Sequence, residues 1–230
     1  MSVNEKMTAI ADAIRDKTGG EEALTLSDMA NEIPNVYQSG KEAQHREYWE
    51  KALNYGNKQS YLYMFCGSNM TDDVFNPPEG LTLKASNFQQ VFRYTDKLTK
   101  INITLDVSES TNMTNALYGC SKLEKIAKII SSESTPWAAN NFQAAYVLAE
   151  IRFEGTIGTA LDIHWTTMLS RNSLLSILNV CNKENAGVTI TLPKKCIDGS
   201  TVTETYITND TELSTALTNA TNNGYTIAYS

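Results

Sequence analysis

Long apolar runs are missing from this sequence. No stretch approaches the roughly 20 apolar residues that cross a bilayer, and the opening MSVNEKMTAI has no apolar h-region. The expectation is a chain made in the cytosol without a signal peptide, kept there or released by lysis, with no membrane insertion. Basic runs are missing too. With 19 Lys and Arg against 26 Asp and Glu, the formal charge is -7 and the pI ≈ 4.9. A nucleic-acid partner is therefore not expected, because holding a phosphate backbone takes a concentrated basic surface.

Cysteine is sparse. Cys66, Cys120, Cys181 and Cys196 are far apart and form no C-x-x-C pair, which argues against zinc or redox work and for buried or incidental thiols. Histidine is scarcer still. His45 and His164 lie in different segments without an acidic or Cys partner at ligand spacing, so no metal site is expected. No Ser-His-Asp or Cys-His arrangement can be built, and no enzyme activity, catalytic residue or cofactor is predicted. FEGTIG (residues 153–158) lacks G-x-G-x-x-G spacing and reads as a turn. In TDDVF (residues 71–75) the adjacent Asp72 and Asp73 point apart, which predicts a solvated corner.

What is present suffices for one large domain, or a domain with a small appendage: 230 residues, 41% hydrophobic and 20% charged. Ser2 to Glu5 fits a capping box, and Val3, Met7, Ile10 and Ile14 mark one helical face before Gly19-Gly20. Thr25 to Asp28 repeats the capping chemistry, with Met29 and Ile33 on one face and Pro34 as the stop. A third helical segment, residues 39–55, carries Tyr48, Trp49, Ala52 and Leu53 on a charged background. That stripe packs on the following domain or on a second copy of the chain.

The centre of the chain repeats. Leu98/Ile101, Leu123/Ile126 and Leu148/Ile151 advance by 25 residues at each step. Phe92, Leu117 and Phe142 stand six before each Leu, and Phe88, Met113 and Ala138 four before those, which predicts a short helical turn followed by a strand. A fourth copy follows at His164, Met168, Leu174 and Ile177, where His164 takes a packing position. A weak leading copy, Met64 with Met70, begins the stack. In IAKII (residues 126–130) strict alternation would turn Lys128 inward, so a bulge or shifted strand is expected. A period of about 20 to 29 residues belongs to the leucine-rich class, whose units bury their apolar faces only by stacking.

After the last copy, SLLSILNVCNKENAG reads as a helix ending at Gly187, VTITLP as a strand, the segment from Asp210 or Thr211 to Gly224 as a helix, and YTIAY as a final strand. The fold class is α+β: a leucine-rich repeat solenoid with a small N-terminal helical module and an α/β C-terminal cap. The expected divisions are residues 1–36, a connecting helix at 37–60, the solenoid at 61–180 and the cap at 181–230.

Aromatics fall in or beside the polar corners of successive units: Tyr61, Tyr63, Tyr94, Tyr118, Tyr146, Trp137 and Trp165. Some belong to the core; the others make a row of sugar- or protein-binding rings. The candidates for binding are Trp137, Trp165, Tyr94, Tyr118 and Tyr146. SSESTPW (residues 131–137), the longest polar insertion, is the candidate recognition loop.

The LYGCSKLEKI repeat resembles the BspA-like leucine-rich repeats. In combination, AIADAIRDKTG, LTLSDMANEI, GKEAQHREYWEKALNYGNKQSYLYMFCG, EIRFEGTIG, LSRNSLLSILN and VTITLPKKC resemble repeat proteins of tailed phages and prophages of Gram-positive bacteria. The resemblance implies a virion structural protein of the tail, made in the bacterial host cytoplasm. Its N-terminal helices would join other virion tail proteins, and its repeats would contact a host cell-surface glycan or protein. A homo-oligomer built through the N-terminal helices is expected. The alternatives are a purely structural virion adaptor or decoration protein, and a bacterial surface adhesin of the same repeat class.

Overall fold

Strands from successive repeats stand side by side. β1 (Thr82–Lys84), β2 (Lys100–Asp106), β3 (Lys125–Ser131) and β4 (Glu150–Gly155) form one parallel sheet in that order. Ile101 pairs with Ile126 and Ile126 with Ile151, so the 25-residue period is the distance from one coil of a solenoid to the same point on the next. Leu98, Leu123 and Leu148, each three residues before its Ile, are completely buried. No single coil could bury these side chains; stacked coils share one interior.

The computed structural model describes residues 3–18, 26–54 and 63–230, with side chains described for 8–16, 38–53 and 63–230. The chain divides into two units, Met1–Ala52 and Leu53–Ser230. In the first, α1 (Val3–Thr18) is followed by α2 (Leu26–Asn54), whose last two residues fall in the second. The stop expected at Pro34 does not occur, and the boundary expected at residue 36 falls inside α2. Proline lacks the amide for one link of the helical ladder, but its fixed φ suits a helix and the turns on both sides continue through it. Of the third segment's stripe, Trp49 is buried and Tyr48 exposed. The expected caps at Ser2 to Glu5 and Thr25 to Asp28, the Gly19-Gly20 stop, Val3, Met7, Met29, Ile33 and Tyr61 lie outside the described side chains.

The segments between strands are chains of turns, not the short helices that the Phe88/Phe92 spacing predicts. Phe88, Gln90, Phe92 and Tyr94 each send their amide to the next coil, at the carbonyls of Asn112, Thr114, Ala116 and Tyr118 (2.8–3.0 Å). The alternate amides of Val91, Arg93 and Thr95 close tight turns onto Phe88, Gln90 and Phe92. An α-helix needs all of these amides for itself; the stack takes every second one. The backbone accordingly turns left-handed at Gln90 and Tyr94, and again 25 residues later at Asn115 and Gly119. Asn and Gly suit that conformation, whereas Gln and Tyr are held in it at a cost of about 1–2 kcal/mol each.

Lys128 is turned outward by a register shift. The pairing slips between Ile126 and Ile129 against β4, and between Ile101 and Thr104 of β2 against β3. Ile129 is thereby aligned with Leu105 and Phe153 in the core, and Lys128 reaches Glu154 at 3.0 Å on the outer face. The bulge expected from the sequence is present.

In the leading coil the interior positions are filled by Phe65 and Phe75, packed on Phe92 at 5.4 and 5.2 Å, while Met64 and Met70 are only half-buried. Asp72 is not a solvated corner. Its carboxylate accepts from the Thr99 amide (2.9 Å), the Thr99 hydroxyl and the Lys100 amide (3.3 Å). In the next coils the amides of Glu124 and Lys125 go to the carbonyl of Thr99, and those of Ala149 and Glu150 to that of Glu124. A carboxylate therefore does for the first coil what a main-chain carbonyl does for the others. Burial alone would raise its pKa, but the bonds from Thr99 and Lys100 outweigh that and lower it.

At the other end the fourth copy is helical. Leu174 and Ile177 belong to α3 (Arg171–Asn179), which Ser170 caps and which ends well before Gly187. The helix closes the open edge of β4: Ser173 Oγ accepts from the Ile151 amide (3.0 Å), Ser176 Oγ accepts from the Phe153 amide (3.2 Å), and both hydroxyls donate back to main-chain carbonyls. An uncovered edge would recruit another chain. Beyond it come β5 (Leu161–Asp162), β6 (Thr189–Leu192) and β9 (Thr226–Tyr229) in a second parallel sheet, a hairpin of β7 (Lys195–Cys196) and β8 (Thr201–Val202), and helices α4 (Thr203–Asn209) and α5 (Thr211–Asn222). Asp210 caps α5 and pairs with Arg171 at the start of α3 (2.7 Å), tying the two helices together.

Candidate functional site

The turn segments carry a cluster that the stacking itself creates. Tyr94 and Tyr118, from neighbouring coils, meet edge to face with ring centres 5.3 Å apart. Between them lies Arg93, whose guanidinium is 4.6 Å from the Tyr94 ring centre and 5.6 Å from that of Tyr118. Its Nη1 donates to Gln90 Oε1 (2.6 Å) and its Nη2 to the Tyr94 hydroxyl (3.3 Å), so the plane of the cation is fixed. Tyr94 is exposed and Tyr118 half-buried. The result is a rigid surface of two rings and one cation, with hydroxyls at its rim, suited to stacking and hydrogen bonding together.

Gly119 makes room for this. A Cβ there would come within 2.6 Å of the Tyr94 ring, and the residue sits at φ +77. Sequence reasoning missed Arg93 and Gln90 as partners in the cluster. The available signal was Gly119 itself, which stands where the previous coil has Tyr94.

A second pair lies further along, where Tyr146 and Trp165 meet at 6.0 Å and His164 packs on Trp165 at 4.8 Å. Tyr146 is exposed and Trp165 half-buried. His164 does have an acidic partner, contrary to expectation: its Nδ1 meets Asp162, two residues earlier, at the end of β5.

Trp137 is not a surface residue. Only 7% exposed, it packs against Phe142 and Phe153 and donates from Nε1 to Ser131 Oγ (3.2 Å). A tryptophan in a core needs such a partner for its N–H, and Ser131 at the end of β3 supplies it. The segment expected to be a recognition loop is pinned down with it. Thr135 is buried and bonds the Val107 carbonyl (3.1 Å), Ser132 donates to the Ser108 carbonyl, and Glu133 pairs with Lys183 (2.8 Å). Gly158 lies so close to Glu133 that a Cβ would meet its carbonyl oxygen at 2.3 Å. FEGTIG is therefore not the turn expected: its first three residues end β4, and its two glycines let the chain touch the preceding coil at Ser131 and Glu133.

Among the described residues, no group of three or more His, Cys, Asp or Glu side chains could hold a metal ion. All four cysteines are free thiols. Cys120 is buried beside Thr95, one coil earlier, and bonds the Phe92 carbonyl (3.1 Å); burial pushes its pKa up to about 12, as it does for Cys181. Thiols so disfavoured as thiolates are packing groups, not nucleophiles. No described helix is long and apolar enough to cross a membrane. No family model, no curated protein and no solved structure matches this chain.

Proposed function

We propose that this chain is a non-enzymatic virion structural protein of a tailed phage, tail-fibre or baseplate-associated, whose leucine-rich repeats help to recognise the host surface. The observation that carries this reading is the Arg93–Tyr94–Tyr118 cluster, an exposed and preorganised aromatic surface on a rigid stack. Rings held by the scaffold lose little entropy on contact, which favours recognition of sugars or protein loops. The resemblance to phage repeat proteins supplies the biological setting.

Binding of the purified full chain to Gram-positive cell envelopes tests the reading. Tyr94→Ala and Trp165→Ala should each weaken adhesion while leaving the unfolding midpoint nearly unchanged. Adhesion that ignores both variants, or no adhesion at all, defeats it. A second reading, a virion adaptor without a receptor, is favoured by α2, whose side chains from residue 38 to 48 are all exposed, as in a helix that meets another chain. Immuno-labelled electron micrographs separate the two: label at the distal tip supports recognition, and label on the capsid or tail tube supports the adaptor.

A further inference from the structure

Two clefts flank α3, and they meet at one residue. The larger, about 620 Å³, lies between the helix and the outer face of β3 and β4; the smaller, about 320 Å³, lies between α3 and α5; Asn179 lines both. Together they form a trough whose chemistry is unusual for a chain of charge -7. Side-chain amides make up half of its polar lining, beside three serines and the charged Lys125, Glu150 and Arg152. Asn172, Asn179, Asn219 and Asn222 are exposed and make no side-chain hydrogen bond among the described residues. Asn182 and Asn223 hold the walls instead, bonding the carbonyls of Gly155 (3.0 Å) and Cys181 (3.1 Å).

The charges on the sheet side are paired. Lys125 meets Glu150 at 2.8 Å, and Arg152 and Lys128 share Glu154 at 2.7 and 3.0 Å, so no unpaired charge invites an anion or a cation. Asn172, Leu175 and Asn179 follow i, i+3, i+7 spacing, which places an apolar side chain between two amides about 10 Å apart along one helix face. Ala127 continues the apolar floor across the cleft. A carboxamide offers donors and an acceptor on one rigid plane, the pattern that adjacent hydroxyls require. Polar groups at intervals around small apolar patches, without an unpaired charge, fit a chain of hydroxylated rings with C–H faces. They fit a peptide poorly, since the trough has no aromatic anchor and, of its large apolar residues, only Leu175 is not fully buried.

We infer that this trough is a binding site for a neutral oligosaccharide. It shares no residue with the Tyr94 cluster and does not depend on the virion reading, so the two tests fail separately. The probe is a glycan array of neutral and acidic oligosaccharides, screened with the full chain and followed by calorimetric titration of N-acetylglucosamine hexamer, maltohexaose and hyaluronan hexasaccharide. At least one neutral ligand should bind saturably. Asn179→Leu should weaken it about tenfold, the loss expected when one good hydrogen-bonding group is removed, while Tyr94→Ala leaves it unchanged. Asn179 is exposed at the end of α3, so Asn179→Leu should fold; Asn219→Ala with Asn222→Ala, on the opposite wall, gives an independent second variant. Binding of acidic ligands only, binding indifferent to both sets of variants, or no binding to any neutral glycan overturns the inference.

Discussion

The stacked coils and the C-terminal cap stabilise the same interior by different means. Between coils the chain uses its backbone: turn amides and strand amides at equivalent positions reach the next coil again and again, and each coil presents the partner its neighbour needs. In the cap the work passes to individual side chains. Ser173 and Ser176 stand in for the strand that would follow β4, Arg171 fastens Asp210, and the Tyr225 hydroxyl bonds both the Ile157 carbonyl and the Lys183 amide. A period can be continued by almost any residues with the right alternation, but its end must be made once, from particular groups. The leading edge follows the same rule, with Asp72 in place of a carbonyl.

Substitutions that remove this contrast should differ in size. Leu123→Ala, in the completely buried ladder, should cost about 2–5 kcal/mol in urea unfolding, because rigidly spaced coils cannot close on the cavity. Ser173→Ala or Ser176→Ala alone should cost less, about 1–3 kcal/mol for the one strand amide left without a partner, and the double variant about as much as Leu123→Ala. The double variant should also show faster amide exchange in β4 than in β2, and equal exchange in the two strands would mean that α3 does not protect the edge.

A smaller effect is expected from Arg171→Gln, and it should depend on pH. The bond from Arg171 and those from the Leu213 and Glu212 amides hold the Asp210 carboxyl down at about 2. A group depressed in the folded state contributes stability above its unfolded pKa of about 4 and loses it as pH falls through the folded value. The gap in urea midpoint between the wild type and Arg171→Gln should therefore be constant above about pH 4 and narrow toward pH 2. A gap that widens on acidification would contradict this account of the pair.

The thiols give a readout that leaves stability untouched. In native protein at pH 8 a thiol reagent should label Cys66 alone, since Cys120, Cys181 and Cys196 are buried and shifted upward; in urea all four should react. Rapid native labelling of Cys181 or Cys196 would show that the cap opens more readily than the coils.

Much of this organisation was legible before the fold was known, and the failures have a common cause. The Leu-x-x-Ile step revealed the period, and Lys128 among four apolar neighbours revealed the bulge. The Phe88/Phe92 spacing misled, because two residues four apart face one side in a helix and also in turns that bond every second amide to a neighbouring coil. Trp137 misled in a similar way: beside a polar insertion it looks exposed, and only folding brings Phe142, Phe153 and Ser131 around it. Of the aromatic candidates, Tyr94, Tyr118, Tyr146 and Trp165 came out at least partly accessible. Arg93 and the amides around α3 were invisible, since nothing along the chain indicates that residues 172, 179, 219 and 222 line one trough.

By itself the sequence determined the coil: a 25-residue return of Leu and Ile makes burial possible only by stacking, since each unit is too small to hide its own apolar face. Tertiary structure alone decided which polar groups share a surface. Hydrophobic periodicity sets what goes inside, whereas the meeting of side chains from different coils and helices depends on register, turn geometry and the packing of the cap.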